Sequence, residues 1–502
     1  MASSVSTPCE IEEATIAGLQ RRILAGELSS TALIDAYLAR IARWDQEGPA
    51  LRSVLALNPA ARARAAELDS AFAAEGRLTG PLHGVAVAVK DNCDTVDMPT
   101  TGGALALKGA RARSESAVTR KLAGAGAVIL AKTNLHEFAL SGVTASSLGG
   151  QTRNPYDLTR TPGGSSGGSG VAAAMSFATA AIGTDTVNSI RSPASANCLV
   201  GLRPTKGLVS RAGIMPVSES QDAVGPITRT VADAARLLDV IAGYDPDDPV
   251  TARCLGKIPR AYADCLDRAA LKGRRIGVFR TLMGDAPRHR EVNAAMAAAA
   301  RAMRDGGAEI VEVDDPAFDS DALIENFDVQ KWEFKRAFEA HLQTLSNGSV
   351  RTIDALLASG GYHRESLHDF LTSADGVVAP DRDIDYLQRL AARRRLRDRL
   401  LGLMAAHGLD ALAYPLQKCL VVPINGGGQI DRNGIVAALT GLPALTVPMG
   451  FSAPDASAPI GVPMGMDLLA RPFDEPLLLG LGYAFEQITR IRKPPSRDSW
   501  PG

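Results

Sequence analysis

The run "VAVAVKD" from Val85 to Asp91 is short, built of small apolar residues, entered from glycine and left through Lys90 and Asp91. Continuous apolar character over so few residues reads as a strand covered on both faces. Such a strand needs a sheet with helices packed on it, and neighbouring segments supply them. "SAVTRKLAGAGAVILAKTN" reads as a helix from Ser116, a turn and a strand from Val128 to Ala131. "RRIGVFR" (Arg274 to Arg280) and "AEIVEVD" (Ala308 to Asp314) flank the helical "REVNAAMAAAARAMRDG" in the same way. Alternation of this kind predicts an α/β protein.

Other stretches are mainly helical. Ile16, Leu19, Ile23 and Leu24 fall at helical spacing, the pattern breaks at Gly26, and it restarts after Ser29 and Ser30, predicting a helical pair. Its apolar face offers a surface on which a homodimer can form. "ARARAAELDSAFA" continues the helical character, and the chain from Asp319 to about Leu401 is helical and charged, before strand-like "ALTVPMG". The basic run Arg393 to Arg399 is interrupted by Leu396 and Asp398 and reads as a solvated helix face. The tail "KPPSRDSWPG" is expected to be loosely ordered.

Composition excludes several classes of function. Over 502 residues, 54 Lys and Arg stand against 55 Asp and Glu, a formal net charge of −1, so no global field draws the chain to nucleic acid or an anionic membrane. Cys9, Cys93, Cys198, Cys254, Cys265 and Cys419 form no C-x-x-C pair and no zinc spacing, which predicts reduced thiols and no metal. The start has no basic region leading into an apolar core, and no long apolar run follows. A cytoplasmic, unsecreted protein is expected.

Between Thr161 and Gly170 the chain reads "TPGGSSGGSG". Glycine so dense implies backbone angles or close approaches that side chains forbid. A phosphate-binding loop is excluded because no lysine follows the glycines. "GSSGG" formally matches a nucleophile elbow centred on Ser166, but that motif requires a strand directly before the serine, and a run of turn residues and prolines stands there. None of the seven histidines sits in a catalytic motif.

Together with "HGVAVAVKDN" and the downstream "AIGTDTVNSIRSPASANCLVGLRPTKG", the stretch resembles the amidase signature family, whose hallmark is a lysine ending a strand, a G-G-S-S-G-G loop and a serine within G-T-D-x-G-G-S-[IV]-R-x-P. Further similar blocks spread the resemblance over nearly the whole chain. It implies one large α/β domain, a mixed central β-sheet with helices on both faces. Residues 1–75 would form a helical segment packed on the core, 76–245 the signature core, and 246–502 the remainder, with a variable substrate-pocket region at about 319–401. Carried over, the catalytic lysine falls on Lys90, the bridging serine on Ser165 and the nucleophile on Ser189, with a cis bond between Gly164 and Ser165. Chemistry agrees with these roles: a serine hydroxyl needs a base within hydrogen-bond reach, and a buried lysine has its neutral amine available near pH 7.

The resemblance places oxyanion-binding N–H groups at Thr186, Val187, Asn188 and Ser189. Here V-N-S replaces the usual G-G-S. Asn188 tolerates a left-handed backbone, whereas Val187 is expected to be extended, its bulk narrowing the approach to the acyl carbon. Asp185 and Arg191 flank the nucleophile as a supporting charge pair, Ser166 is a supporting loop residue, and Cys198 is structural. The implied activity is hydrolysis of a linear amide through a serine acyl-enzyme, without cofactor, on a small-molecule amide or carbamate, by a monomer or homodimer. Carbamate or urea hydrolysis by the same relay, the glutamine-using subunit of a tRNA-dependent amidotransferase, and a non-catalytic scaffold are the alternatives. "EFKRAFEAHLQTL" and "VRTIDALLA" look more like the peptide-amidase and aryl-acylamidase side of the family.

Overall fold

Small and β-branched residues recur along the chain in runs too short for helices, and eleven of these runs hydrogen-bond into one mixed sheet. The computed structural model describes residues 11–497 and Trp500. Cys9 and the opening residues on which the reading of the start rests lie outside the described residues. In chain order the strands are β1 (Val54–Leu57), β2 (Ala86–Lys90), β3 (Val128–Thr133), β4 (Ala180–Asp185), β5 (Val200–Arg203), β6 (Ala223–Thr228), β7 (Arg275–Phe279), β8 (Glu309–Val313), β9 (Ala411–Pro415), β10 (Ala444–Phe451) and β11 (Pro463–Leu469). Their order across the sheet is β1-β3-β2-β4-β6-β5-β10-β11-β9-β7-β8. β2 runs parallel to both β3 and β4, and β7 parallel to β8 and β9, while β4, β6, β5, β10, β11 and β9 alternate in direction.

Strand β2 shows why the sheet carries helices on both faces. Its side chains alternate: Val87 and Val89 enter one core with Val118 and Leu122 of the helix Ala117–Gly124 and Leu237 and Leu238 of the helix Val231–Ile241. Ala86 and Ala88 enter a second core with Val171 to Ala174 of the helix Gly167–Ala174. Alanine on that face lets the glycine-rich helix lie close to the sheet. The helices Ile16–Leu24 and Ser30–Ile41 bury Leu19, Ile23, Leu33, Ile34 and Tyr37 in the same second core. Their apolar face is therefore used internally and is not the free dimer surface the sequence suggests.

Helices Ser320–Phe327, Gln330–Thr344, Ile353–Ser359, Arg364–Asp375 and Ile384–Ala406 make up the helical region. Phe334, Phe338, Leu342, Ile353, Leu367 and Leu371 gather there around Phe138. In the basic run, Arg394, Arg395, Arg397 and Arg399 are not buried, as expected, but Arg393 is, because it lies about one turn from Leu396 and two from Leu400 on the inward side of its helix. The described part of the tail is anchored, with the Lys493 carbonyl accepting from Tyr156 Oη at 2.6 Å and the Arg497 guanidinium over the Trp44 ring. The five cysteines among the described residues are free. Among those residues no helix is long and apolar enough to cross a membrane.

Candidate active site

Because β2 and β4 are parallel neighbours, their carboxyl ends meet at one edge of the sheet, the usual place for a site in a sheet of this kind. β2 ends in Lys90 and β4 in Thr184 and Asp185. Lys90 is fully buried, and its Nζ donates to Ser165 Oγ at 2.7 Å and to Thr184 Oγ1 at 2.8 Å. Thr184 Oγ1 also accepts from Asn92 Nδ2 at 3.1 Å. The other fully buried strand lysine, Lys132, has a carboxylate partner in Asp91 at 3.2 Å, whereas Lys90 has none among the described residues. Burial outweighs the attraction of more distant anions and pulls the Lys90 ammonium down from 10.5 to about 7.

Ser165 is held by the glycine-serine loop, and the Gly164–Ser165 peptide is cis. Its carbonyl accepts from the His136 backbone N–H at 2.9 Å. The glycines answer chiefly to close approach. A Cβ on Gly168 would fall 2.3 Å from the Asn134 carbonyl oxygen and 2.6 Å from that of Ser53, and one on Gly167 would fall 2.3 Å from Thr144 Oγ1. Among the loop's five glycines, Gly163 has the left-handed φ, 70°. No strand precedes Ser166, which stands at the start of the helix Gly167–Ala174, its Oγ donating to the Thr184 carbonyl at 3.2 Å and accepting from the Thr184 N–H at 3.3 Å.

Ser189 lies in the turn between β4 and the helix Arg191–Ala196. Its carbonyl accepts from the Ser166 N–H at 3.2 Å, which ties the two serine segments together. The Ser189 hydroxyl, on a residue 5 % exposed, makes no hydrogen bond among the described residues, so no direct bond joins it to Ser165. The N–H groups of Thr186, Val187, Asn188 and Ser189 belong to no helix or strand and likewise donate to no acceptor among the described residues. Buried N–H groups are rarely left unpaired, and here four stand in succession beside one hydroxyl.

The departure from G-G-S takes a form the sequence does not suggest. Neither Val187 nor Asn188 has a positive φ. The Val187 side chain packs with Phe279, Leu282, Ile435 and Val436, so its bulk is taken up by a hydrophobic cluster. Gly434 makes room for Asn188: a Cβ there would stand 2.5 Å from the Asn188 Cβ.

Beneath the turn lies a charge network buried without exposure to solvent. Arg191 donates to Asp185 through Nε (3.1 Å) and Nη2 (3.2 Å), to Asp467 through Nη1 (2.7 Å), and to the Val187 carbonyl (2.7 Å). Arg203 donates to Asp185 at 2.8 Å. Burial alone would raise the Asp185 carboxyl, but the two guanidiniums hold it at about 2. Arg191 and Asp185 thus meet directly, while Arg203, Asp467 and Thr184 are additions to the set read from sequence. Asp467 is a charged residue inside an otherwise apolar strand, and Arg203 and Thr184 are polar residues at the carboxyl ends of apolar runs, which is the signal that finds them. Thr186 Oγ1 donates to Asp222 at 2.6 Å, and Gln221 Nε2 to the Thr186 carbonyl at 3.2 Å. Burial, with repulsion from His363 and Lys90, lowers His136 to about 3, which keeps the imidazole neutral.

The sequence profile described as Amidase matches residues 32–479. A glutamyl-tRNA(Gln) amidotransferase subunit from Synechococcus sp. (strain CC9605) is 35% identical over 95% of this chain and 96% of its own length. Among solved structures, native peptide amidase from Stenotrophomonas maltophilia superposes with a TM-score of 0.89 at 40% identity, covering 97% of this chain and 99% of that one. The corresponding glutamyl-tRNA(Gln) amidotransferase subunit from Thermotoga maritima superposes with a TM-score of 0.71 at 27% identity, covering 95% of each chain. The chain belongs to the amidase family, whose enzymes act on amide C–N bonds.

Proposed function

We propose that the protein hydrolyses the C–N bond of a linear carboxylic amide through an acyl-enzyme on Ser189. The observation that carries this reading is the buried Lys90 Nζ, 2.7 Å from Ser165 Oγ and without a carboxylate partner among the described residues. As the neutral amine it accepts the Ser165 proton while Ser165 accepts that of Ser189, whose oxygen attacks the substrate carbonyl. The four unpaired N–H groups from Thr186 to Ser189 receive the negative charge that forms on the carbonyl oxygen. The Lys90 ammonium then returns a proton through Ser165 to the departing amine. Water enters and the same transfers run again, releasing the carboxylic acid and restoring the Ser189 hydroxyl. Substrate seating has to bring Ser189 Oγ within reach of Ser165, since these hydroxyls share no hydrogen bond beforehand.

Carbamates and ureas call for the same transfers and are told from amides by assay. Of the two solved relatives compared, the stronger likeness to the peptide amidase supports a free-standing hydrolase. The amidotransferase subunits found by sequence favour, as the second reading, glutamine hydrolysis within an assembly. A fluorophosphonate probe followed by intact-mass measurement tests the chemistry: one adduct is expected on the wild type and none on Ser189→Ala. No adduct on either protein would favour the scaffold alternative. A panel of peptide amides, anilides, carbamates and glutamine then separates the substrate classes, and turnover of glutamine alone would favour the second reading.

A further inference from the structure

The long helix Ile384–Ala406 helps to wall a cavity of about 520 Å³, lined in part by Lys206, Arg253, Arg393, Arg394 and Arg397. Among the described residues no Asp or Glu lines it, nor does any member of the Lys90, Ser165 and Ser189 set. Leu439 and Phe473 give it an apolar wall. In a chain with a net charge of −1, five cations around one cavity are a strong local excess.

These cations lack the partners that would neutralise them. Arg393, 7 % exposed, donates only to neutral groups: Ser220 Oγ at 2.6 Å, the Ser220 carbonyl at 3.3 Å, Gln221 Oε1 at 3.4 Å and the Leu439 carbonyl at 3.3 Å. The Lys206 ammonium donates to the Glu219 backbone carbonyl. Arg397 has only its chain neighbour Asp398, at 3.8 Å, and Arg253 and Arg394 form no ion pair among the described residues. Glu333 attracts Lys206 and Arg393 through space, as Asp222 does Lys206 and Asp328 does Arg393, but none of these carboxylates lines the cavity or bonds to either cation among the described residues. Burial, with repulsion from Arg211 and Arg393, lowers Lys206 to about 7, the behaviour of a cation set among cations.

We propose that this cavity binds a small phosphate-bearing anion, with its oxygens held by Lys206, Arg394 and Arg397. Guanidinium groups meet phosphate through paired N–H donors, and a buried arginine without a counter-charge is costly until an anion arrives. Binding is measured by titration calorimetry at near-physiological ionic strength with inorganic pyrophosphate and, separately, ATP. One saturable site is expected, and Arg394→Glu with Arg397→Glu should weaken it at least about tenfold, the value of losing one or more charge-assisted contacts. Arg253→Glu, from a different segment, should weaken it too, and circular dichroism melting checks that each variant is folded. Ser189→Ala should bind as the wild type does, which keeps this test independent of the proposed hydrolysis. Tighter binding of ATP assigns a nucleotide that also uses the apolar wall, and equal binding assigns free phosphate groups. Absence of saturable binding by either probe, unchanged affinity in the charge-reversed variants, or binding of polymeric RNA alone would overturn the proposal.

Discussion

Two regions of the molecule are held together in opposite ways. From residue 161 to residue 205, through the glycine-serine loop and the Ser189 turn, every residue is buried, and the segment depends on directional bonds and backbone contacts with little room to relax. The helices between Ser320 and Ala406 each keep a solvent face and are joined by apolar clusters such as that of Phe334, Phe338 and Leu342. Hydrogen bonds and ion pairs fix atoms to tenths of an ångström, whereas apolar area rewards contact of almost any matching shape. The first arrangement suits the proton exchange proposed for Lys90, Ser165 and Ser189, and the second suits a wall whose shape can change.

The comparison breaks most sharply at Lys90. Lys90→Met should lower hydrolysis by about four orders of magnitude or more, and adding Ser189→Ala should cost little further, because the two act as a unit in the proposed reaction. The melting temperature should hold or rise, since an apolar chain replaces a buried amine without a carboxylate partner among the described residues. Steady-state rates and calorimetric melting read the two effects separately. Next comes Arg191→Met, which leaves Asp185 and Asp467 short of their shared cation and should destabilise the fold by about 3–5 kcal/mol in urea unfolding. Third, Gly168→Ala puts a methyl against two carbonyl oxygens and should cost about 1–3 kcal/mol or more.

A pH titration sharpens the contrast within the buried site. With Lys90 at about 7, kcat/KM should rise about tenfold per pH unit below that value and level off above it. A rate that is flat from pH 5 to 8 would remove Lys90 as the base. For stability the sign follows from the same shift: between about pH 7 and the ordinary lysine value of 10.5 the unfolded lysine holds the extra proton, so this group's contribution to unfolding free energy increases with pH. The smallest effect belongs to the helical region. Gly402 lies inside the helix Ile384–Ala406 with open space around it, so Gly402→Ala should stabilise by about 0.5–1 kcal/mol, opposite in sign to Gly168→Ala.

How much of this is legible in the sequence depends on whether the deciding interaction is local. The strands around Val87, Val128, Ile276 and Ile310 announce themselves through short apolar runs between turns, and all four form. β4 does not, because "VAAAMSFATAAIG" joins the end of one helix to the start of a strand with no change in composition. The contact of Lys90 with Ser165 follows from recognisable motifs. The burial of Arg393 is foreshadowed by its helical spacing with Leu396 and Leu400, whereas Thr184 as the lysine's second partner depends on neighbours fixed only by the tertiary fold. The same holds for Asn188, whose place is made by Gly434, far away in sequence.

The pairing of Arg191 with Asp467 spans 276 positions, and β5 is flanked on one side by β10, which is also made late. A ribosome that has released residues 1–300 has already supplied Lys90, Ser165 and Ser189, yet not the carboxylate that completes the support under the last of them. On the proposed role of Ser189, a product terminated before Asp467 would carry Lys90, Ser165 and Ser189 without the carboxylate that pairs with Arg191.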